Sequence, residues 1–138
     1  MRVALSGYFL GAREVTVAYD TTAGNQDVVL GVVKTPGARL GAAYVITPAA
    51  IVGNAVDVSD LSVRRLRAGI TSGAIGTAQN YDDVNRAASS EVELGIDGTD
   101  ADGVFQAGDL IVLRCTQHGA GSVQMGLWVR YTLVEYAV

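Results

Sequence analysis

Leu127, Val129, Tyr131 and Leu133 occupy every second position near the end of the chain, and Met125 extends the series backward. Gln124, Arg130 and Thr132 make the intervening positions more polar. Side chains alternate faces along a strand, so this spacing sets one apolar stripe against a polar one and predicts a long strand over 123–136. A run dense in Leu, Ile and Val at 109–116 predicts another strand just before it. The connector between them, Gln117-His118-Gly119-Ala120-Gly121-Ser122, carries the glycines that a reversal needs. Residues 108–136 therefore read as a β-hairpin. A lone hairpin is marginal in water, so the rest of the chain has to supply the surface on which it lies.

The remaining segments are suited to that task. Residues 14–20 alternate, with Val15, Val17 and Tyr19 on one face. Residues 27–34 place Val28, Leu30 and Val32 opposite Val29 and Val33, which is apolar on both faces and predicts burial on both sides, as at a subunit interface. A short strand is expected over 42–47, ended by Pro48. Residues 55–68 form the longest central candidate; their apolar phase slips twice, which predicts a β-bulge. Tyr81 to Ala88 reads as one or two helical turns, with Asn80 as N-cap and Asp82 and Asp83 in the first turn. Residues 91–96 form another strand.

The count is about eight strands with closely spaced turn signals. The fold class expected is all-β, a single jelly-roll-like antiparallel β-sandwich, with an N-terminal arm over 1–12 and the sandwich over 13–138. The expected core is Val15, Val17, Val28, Leu30, Val32, Val58, Val63, Leu94, Ile111, Leu113, Leu127, Val129 and Tyr131. At 138 residues a single domain buries about 70% of its unfolded surface, enough for such a core.

Composition narrows the function. The net charge is −4 and Lys34 is the sole lysine, so there is no basic field for nucleic acid or an anionic membrane. No signal peptide or membrane span is read in the sequence. Cys115 is the single cysteine, which excludes an internal disulfide framework and reads as a buried, inert thiol. Asp97, Asp100 and Asp102 offer oxygen ligands, but their spacing departs from the calcium-loop pattern and the closing bidentate Glu is missing; the loop reads as an ordinary turn. His118, the one histidine, has no partner visible in the sequence for metal binding or base catalysis. No phosphate loop, nucleophile elbow or paired-carboxylate frame is present, so no catalytic residue, cofactor site or metal site is expected and the chain is not read as an enzyme.

Arg64, Arg65 and Arg67 form the one basic cluster and are the candidate partner-binding residues. On a strand Arg65 and Arg67 share a face and Arg64 takes the other. Two readings stand side by side: a solvated face paired with acidic residues, or a charged contact with another protein, where guanidinium forks are favoured.

Four features carry a family resemblance. They are the small-residue N-terminal arm, the stretch Asp57-Val58-Ser59-Asp60-Leu61-Ser62-Val63-Arg64-Arg65, the phrase Phe105-Gln106-Ala107-Gly108-Asp109-Leu110-Ile111-Val112-Leu113, and the closing stretch Leu127-Trp128-Val129-Arg130-Tyr131-Thr132-Leu133. In these the chain resembles phage capsid decoration proteins, the head-stabilising or cement proteins of jelly-roll type. The resemblance implies a non-catalytic virion protein on the outer capsid surface. Its partners would be the major capsid protein, whose subunits it bridges, and itself, as a homotrimer. Two alternatives are a tail or neck protein of the same kind of particle, and a carbohydrate-binding β-sandwich, which would need a row of exposed aromatics.

Overall fold

In the computed structural model the described residues are 8–17, 26–119 and 127–135, with 8–17 and 135 described by their backbone alone. They form nine strands: β1 (Tyr8–Val17), β2 (Gln26–Val32), β3 (Arg39–Thr47), β4 (Ser59–Arg67), β5 (Ile70–Thr71), β6 (Gln79–Asn80), β7 (Ser90–Glu93), β8 (Leu110–Gln117) and β9 (Leu127–Glu135). One 3-10 turn, Ala101–Gly103, precedes β8.

The strands build two antiparallel sheets. One has the order β1-β9-β3-β7; the other has the order β2-β8-β4-β5, with β6 also on the free side of β4. The chain changes sheet at nearly every step, from β1 to β2, β3 and β4 in turn, and again from β6 to β7, β8 and β9. That connectivity makes the sandwich a jelly roll. Tyr8 to Ala12, the end of the segment read as an arm, lie in β1 against β9; residues 1–7 lie outside the described residues.

The core lies between the sheets. Leu127, Val129, Tyr131 and Leu133 of β9 face Leu61 and Val63 of β4 and Ile111, Leu113 and Cys115 of β8, all buried. The Tyr131 hydroxyl crosses the core and donates to the Leu30 carbonyl, tying the sheets together at 3.4 Å. Leu30, Val58, Val63, Leu94, Ile111, Leu113, Leu127, Val129 and Tyr131 are buried as expected, and Val28 packs against the core. The side chains of Val15 and Val17 lie outside what is described.

Four expectations are corrected. First, β8 and β9 are not a hairpin. β8 pairs with β2 and β4, whereas β9 pairs with β1 and β3. Each strand finds two non-local neighbours, and the two strands lie in different sheets. Second, 81–88 is not helical. Tyr81 and Asp82 are buried; the Ser59 amide donates to Asp82 Oδ1 at 2.7 Å, and Arg86 exchanges backbone bonds with Ile51. These tertiary partners override the local capping pattern. Third, Val32 is 46% exposed, because a bulge between Val29 and Gly31 shifts the phase of β2 and turns Val33 inward instead. Fourth, the bulges do not fall in the longest central segment: β4 runs in unbroken register with β8 from Ser59 to Leu66, while β2 and β3 carry shifts at 29–31 and 40–42. The segment before β4 is loop, and Val56 is exposed there.

Candidate functional site: the outer faces of the sandwich

The unbroken β4 register settles the facing of the arginine cluster. Leu61 and Val63 point inward, so Arg65 and Arg67 continue that phase past the end of the core, and Arg64 points outward. Arg65 lies over the 3-10 turn. Its Nη1 donates to the carbonyls of Ala101, Asp102 and Val104 at 3.4, 3.3 and 3.1 Å. Arg67 is bidentate to Asp109, with Nη2 to Oδ2 at 2.7 Å and Nε to Oδ1 at 3.0 Å. The Asp109 carboxylate also accepts the Gln106 amide at 2.7 Å, closing the turn into β8 at Gly108. The Arg67 guanidinium holds the Asp109 carboxyl below the usual carboxylate range, against the opposing effect of burial. Two of the three arginines are thus engaged inside the molecule.

Arg64 stands apart. Its Nε donates to Ser62 Oγ at 3.0 Å and its Nη1 to the Ser72 carbonyl at 3.2 Å. No carboxylate pairs with it among the described residues. Asp27, which acts on it at longer range, is itself bidentate to Arg114, at 2.7 and 2.8 Å. Partial burial, and then the neighbouring Arg114 charge, lower the Arg64 pKa from its ordinary value.

The strand pairing sets these groups in rows across the outer face of the β2-β8-β4 sheet. Asp27, Arg114 and Ser62 lie abreast, then Val29, Val112 and Arg64, then Val32, Leu110 and Leu66. Val29 and Val32 are 50% and 46% exposed, while Val112, between its neighbours, is 1% exposed.

Two other surfaces carry exposed apolar groups. On the outer face of the β1-β9-β3-β7 sheet, Trp128 is 45% exposed beside Ile46. There Arg130 pairs with Glu91 and lies 5.0 Å from the centre of the Tyr44 ring. In the loops 51–56 and 82–86, Val52, Val56 and Val84 are exposed; the loops are joined where Ile51 bridges Arg86 and the Gly53 amide bonds Asn85.

The other candidates have structural duties. Asp97 Oδ1 accepts the amide and hydroxyl of Thr99 at 2.8 and 2.7 Å, and Asp100 accepts the amides of Gly76 and Asp102, each at 2.9 Å. Those backbone bonds lower both carboxyl pKa values. Among the described residues no three His, Cys, Asp or Glu side chains converge to hold a metal ion. His118 has a partner that the sequence did not reveal: its Nε2 is 2.7 Å from Asp60 Oδ2. β4 and β8 pair Asp60 with Thr116, which brings His118 within reach. Both groups of this pair are partly open to solvent, and no serine, threonine or cysteine side chain is bonded to the ring among the described residues. Cys115 is fully buried, and desolvation pushes its thiol up to about 12. An open cleft of about 580 Å³ beside Gly37, Arg39, Gly98, Thr99 and Val104 has one charged lining group, Arg39, bonded to the Gly98 carbonyl at 2.8 Å.

No protein-family model and no curated protein matches the sequence. A solved structure described as that of infectious bursal disease virus Gx strain is similar to the chain with a TM-score of 0.43 at 10% identity, covering 92% of this chain. The similarity covers 32% of that chain, so this protein spans about a third of its length.

Proposed function

We propose that the protein is a structural component of a phage virion, bound to the outer surface of the assembled capsid and bridging neighbouring subunits of the major capsid protein. The observation that carries this reading is the distribution of exposed apolar side chains over three separate surfaces: Val29 and Val32 on one sheet, Trp128 on the other, and Val52, Val56 and Val84 in the loops. A module that holds one small ligand needs one such place; a bridge needs several. The jelly roll supplies a rigid frame between them, so little conformational entropy is lost on docking. Self-association as a homotrimer would use one of the same surfaces. The segment over 1–12 would add contacts to the shell, and the arginine cluster would contribute through Arg64, with Arg65 and Arg67 fixing the turns beside it.

The carbohydrate-binding alternative is disfavoured by the aromatics. Tyr81, Phe105 and Tyr131 are buried and Arg130 lies against Tyr44, which leaves Trp128 without a row of stacking partners among the described side chains. A ligand that binds the assembled lattice and not its loosened form stabilises it by about 2.7 kcal/mol per site at a hundredfold excess over Kd. The test compares particles with and without the protein under heating, alongside co-sedimentation of the purified protein with expanded shells. Delayed disruption together with saturable co-sedimentation is expected. Equal disruption, or no binding, would sink the proposal.

A further inference from the structure

The outer face of the β2-β8-β4 sheet combines two features that rarely stay together in water. Val29, Val32, Leu110 and Leu66 make an apolar field that reaches the edge strand, and Arg64 stands inside it without a carboxylate partner among the described residues. The guanidinium is held in place by Ser62 and Ser72, while its Nη2 has no hydrogen-bond partner among the described residues. A partly buried guanidinium carries a desolvation cost that a carboxylate at its open edge offsets. Next to it the same chemistry is already complete: Arg114 and Asp27 form a bidentate pair on the same face. Arg64 has no such directly bonded acid among the described residues; Asp27, committed to Arg114, reaches it only at longer range.

We propose that this face binds a protein segment presenting a carboxylate flanked by apolar side chains, the carboxylate on Arg64 and the flanks on Val29 and Val32. Charge complementarity selects this occupant. A second copy packed by two-fold symmetry would set this face, with Arg64 and Arg114 against the one carboxylate of Asp27, on an identical face of the same net positive charge, and a nucleic acid would meet the Asp27 carboxylate beside Arg64. Aromatic and arginine side chains dominate the energetics of protein contacts, and a guanidinium prepaid in position loses little freedom on pairing. The inference deepens the virion reading by giving the chemistry of the shell surface it would meet, but its test does not require a shell.

The experiment titrates the full-length protein, isotopically labelled, with the peptide acetyl-Leu-Glu-Val-Leu-amide and follows the Arg64 side-chain NH and the Val29 and Val32 methyls by NMR. Saturable shifts are expected at these three residues. The peptide with Gln in place of Glu should bind about tenfold more weakly or worse, the loss of one charge-assisted pair. Arg64→Met, which keeps the hydrocarbon cover over the sheet, should remove the difference between the two peptides. Val29→Ser, a change at an exposed position, should weaken both and gives a second readout should Arg64→Met fail to fold. Equal binding of the Glu and Gln peptides, shifts centred elsewhere, or no saturable shift would overturn the proposal. So would loss of self-association, without loss of peptide binding, in Arg64→Met, which would assign the face to a second copy. The virion reading fails separately, by absence of binding to shells.

Discussion

Asp109 is the residue whose removal says most about how the frame is held. Its side chain is 4% exposed, and it accepts from Arg67 Nε and Nη2 and from the Gln106 amide. Asp109→Ala removes all of these at the turn that launches β8, the central strand of its sheet. A charge-assisted bond to a buried acceptor is worth about 1.5–3 kcal/mol, and a lost amide cap about 1 kcal/mol. Arg67 is one-third exposed, so the ion-pair part is discounted and the sum is set at about 2–3 kcal/mol. For a domain of this size that lowers Tm by roughly 6–12 °C. The assay is urea unfolding at fixed protein concentration, with Asp109→Asn as the variant that keeps an acceptor for Gln106 and falls between the two. Arg67→Ala added to Asp109→Ala should cost little more, because the pair is already broken. The pH dependence gives an independent check. The folded pKa of Asp109 is depressed, so its contribution is present above the ordinary carboxylate value of about 4 and disappears as pH falls through the lower folded value. The gap between wild type and Asp109→Ala must therefore close in acid. A gap under about 0.5 kcal/mol at neutral pH, or one that persists unchanged in acid, would refute the reasoning.

Three further outcomes are expected. Gly76 has φ +89 and a Cβ there would collide with the Gly95 carbonyl, so Gly76→Ala should cost about 3 kcal/mol or more; Gly108→Ala, at φ +92 in open space, should cost about 1 kcal/mol, and thermal melts compare the two. Cys115, with its thiol raised to about 12, should resist a thiol-specific reagent at pH 8 in the folded protein and react fully once unfolded; stoichiometric labelling of folded protein would contradict the burial. Burial raises the folded pKa of Asp82, so its favourable contribution is complete below the ordinary carboxylate value and is lost as pH rises through the raised one. Asp82→Asn should consequently gain stability relative to wild type as pH rises from about 4 towards neutrality, measured by denaturant titration at each pH.

The parts of this architecture legible in the sequence are those decided by side-chain period alone. Leu127, Val129, Tyr131 and Leu133 alternate without interruption, and all four are buried. The Leu-, Ile- and Val-rich run that begins after Gly108 and Asp109 forms β8, and the chain turns into it at those two residues. What period cannot give is the identity of a strand's neighbours. The glycines after Gln117 suit a hairpin and an inter-sheet crossing equally, and the choice depends on β2 and β4 being available to flank β8. Val32 departs from the expected core for a related reason: a bulge is defined by the partner strand, and the extra residue at Leu30 has no local signature. In the arginine cluster the alternation of faces was readable. That Arg65 and Arg67 would be taken up by carbonyls and by Asp109, leaving Arg64 outward, was not, because those partners lie 36 to 42 residues away.

The bridging role is tested most directly by amide hydrogen exchange of the protein alone and bound to assembled shells. The account predicts new protection on at least two of the three apolar surfaces, the β2 face, the Trp128 face and the loops 51–56 and 82–86, with the core strands unchanged. Protection confined to a single surface, or none on any of them, would contradict it.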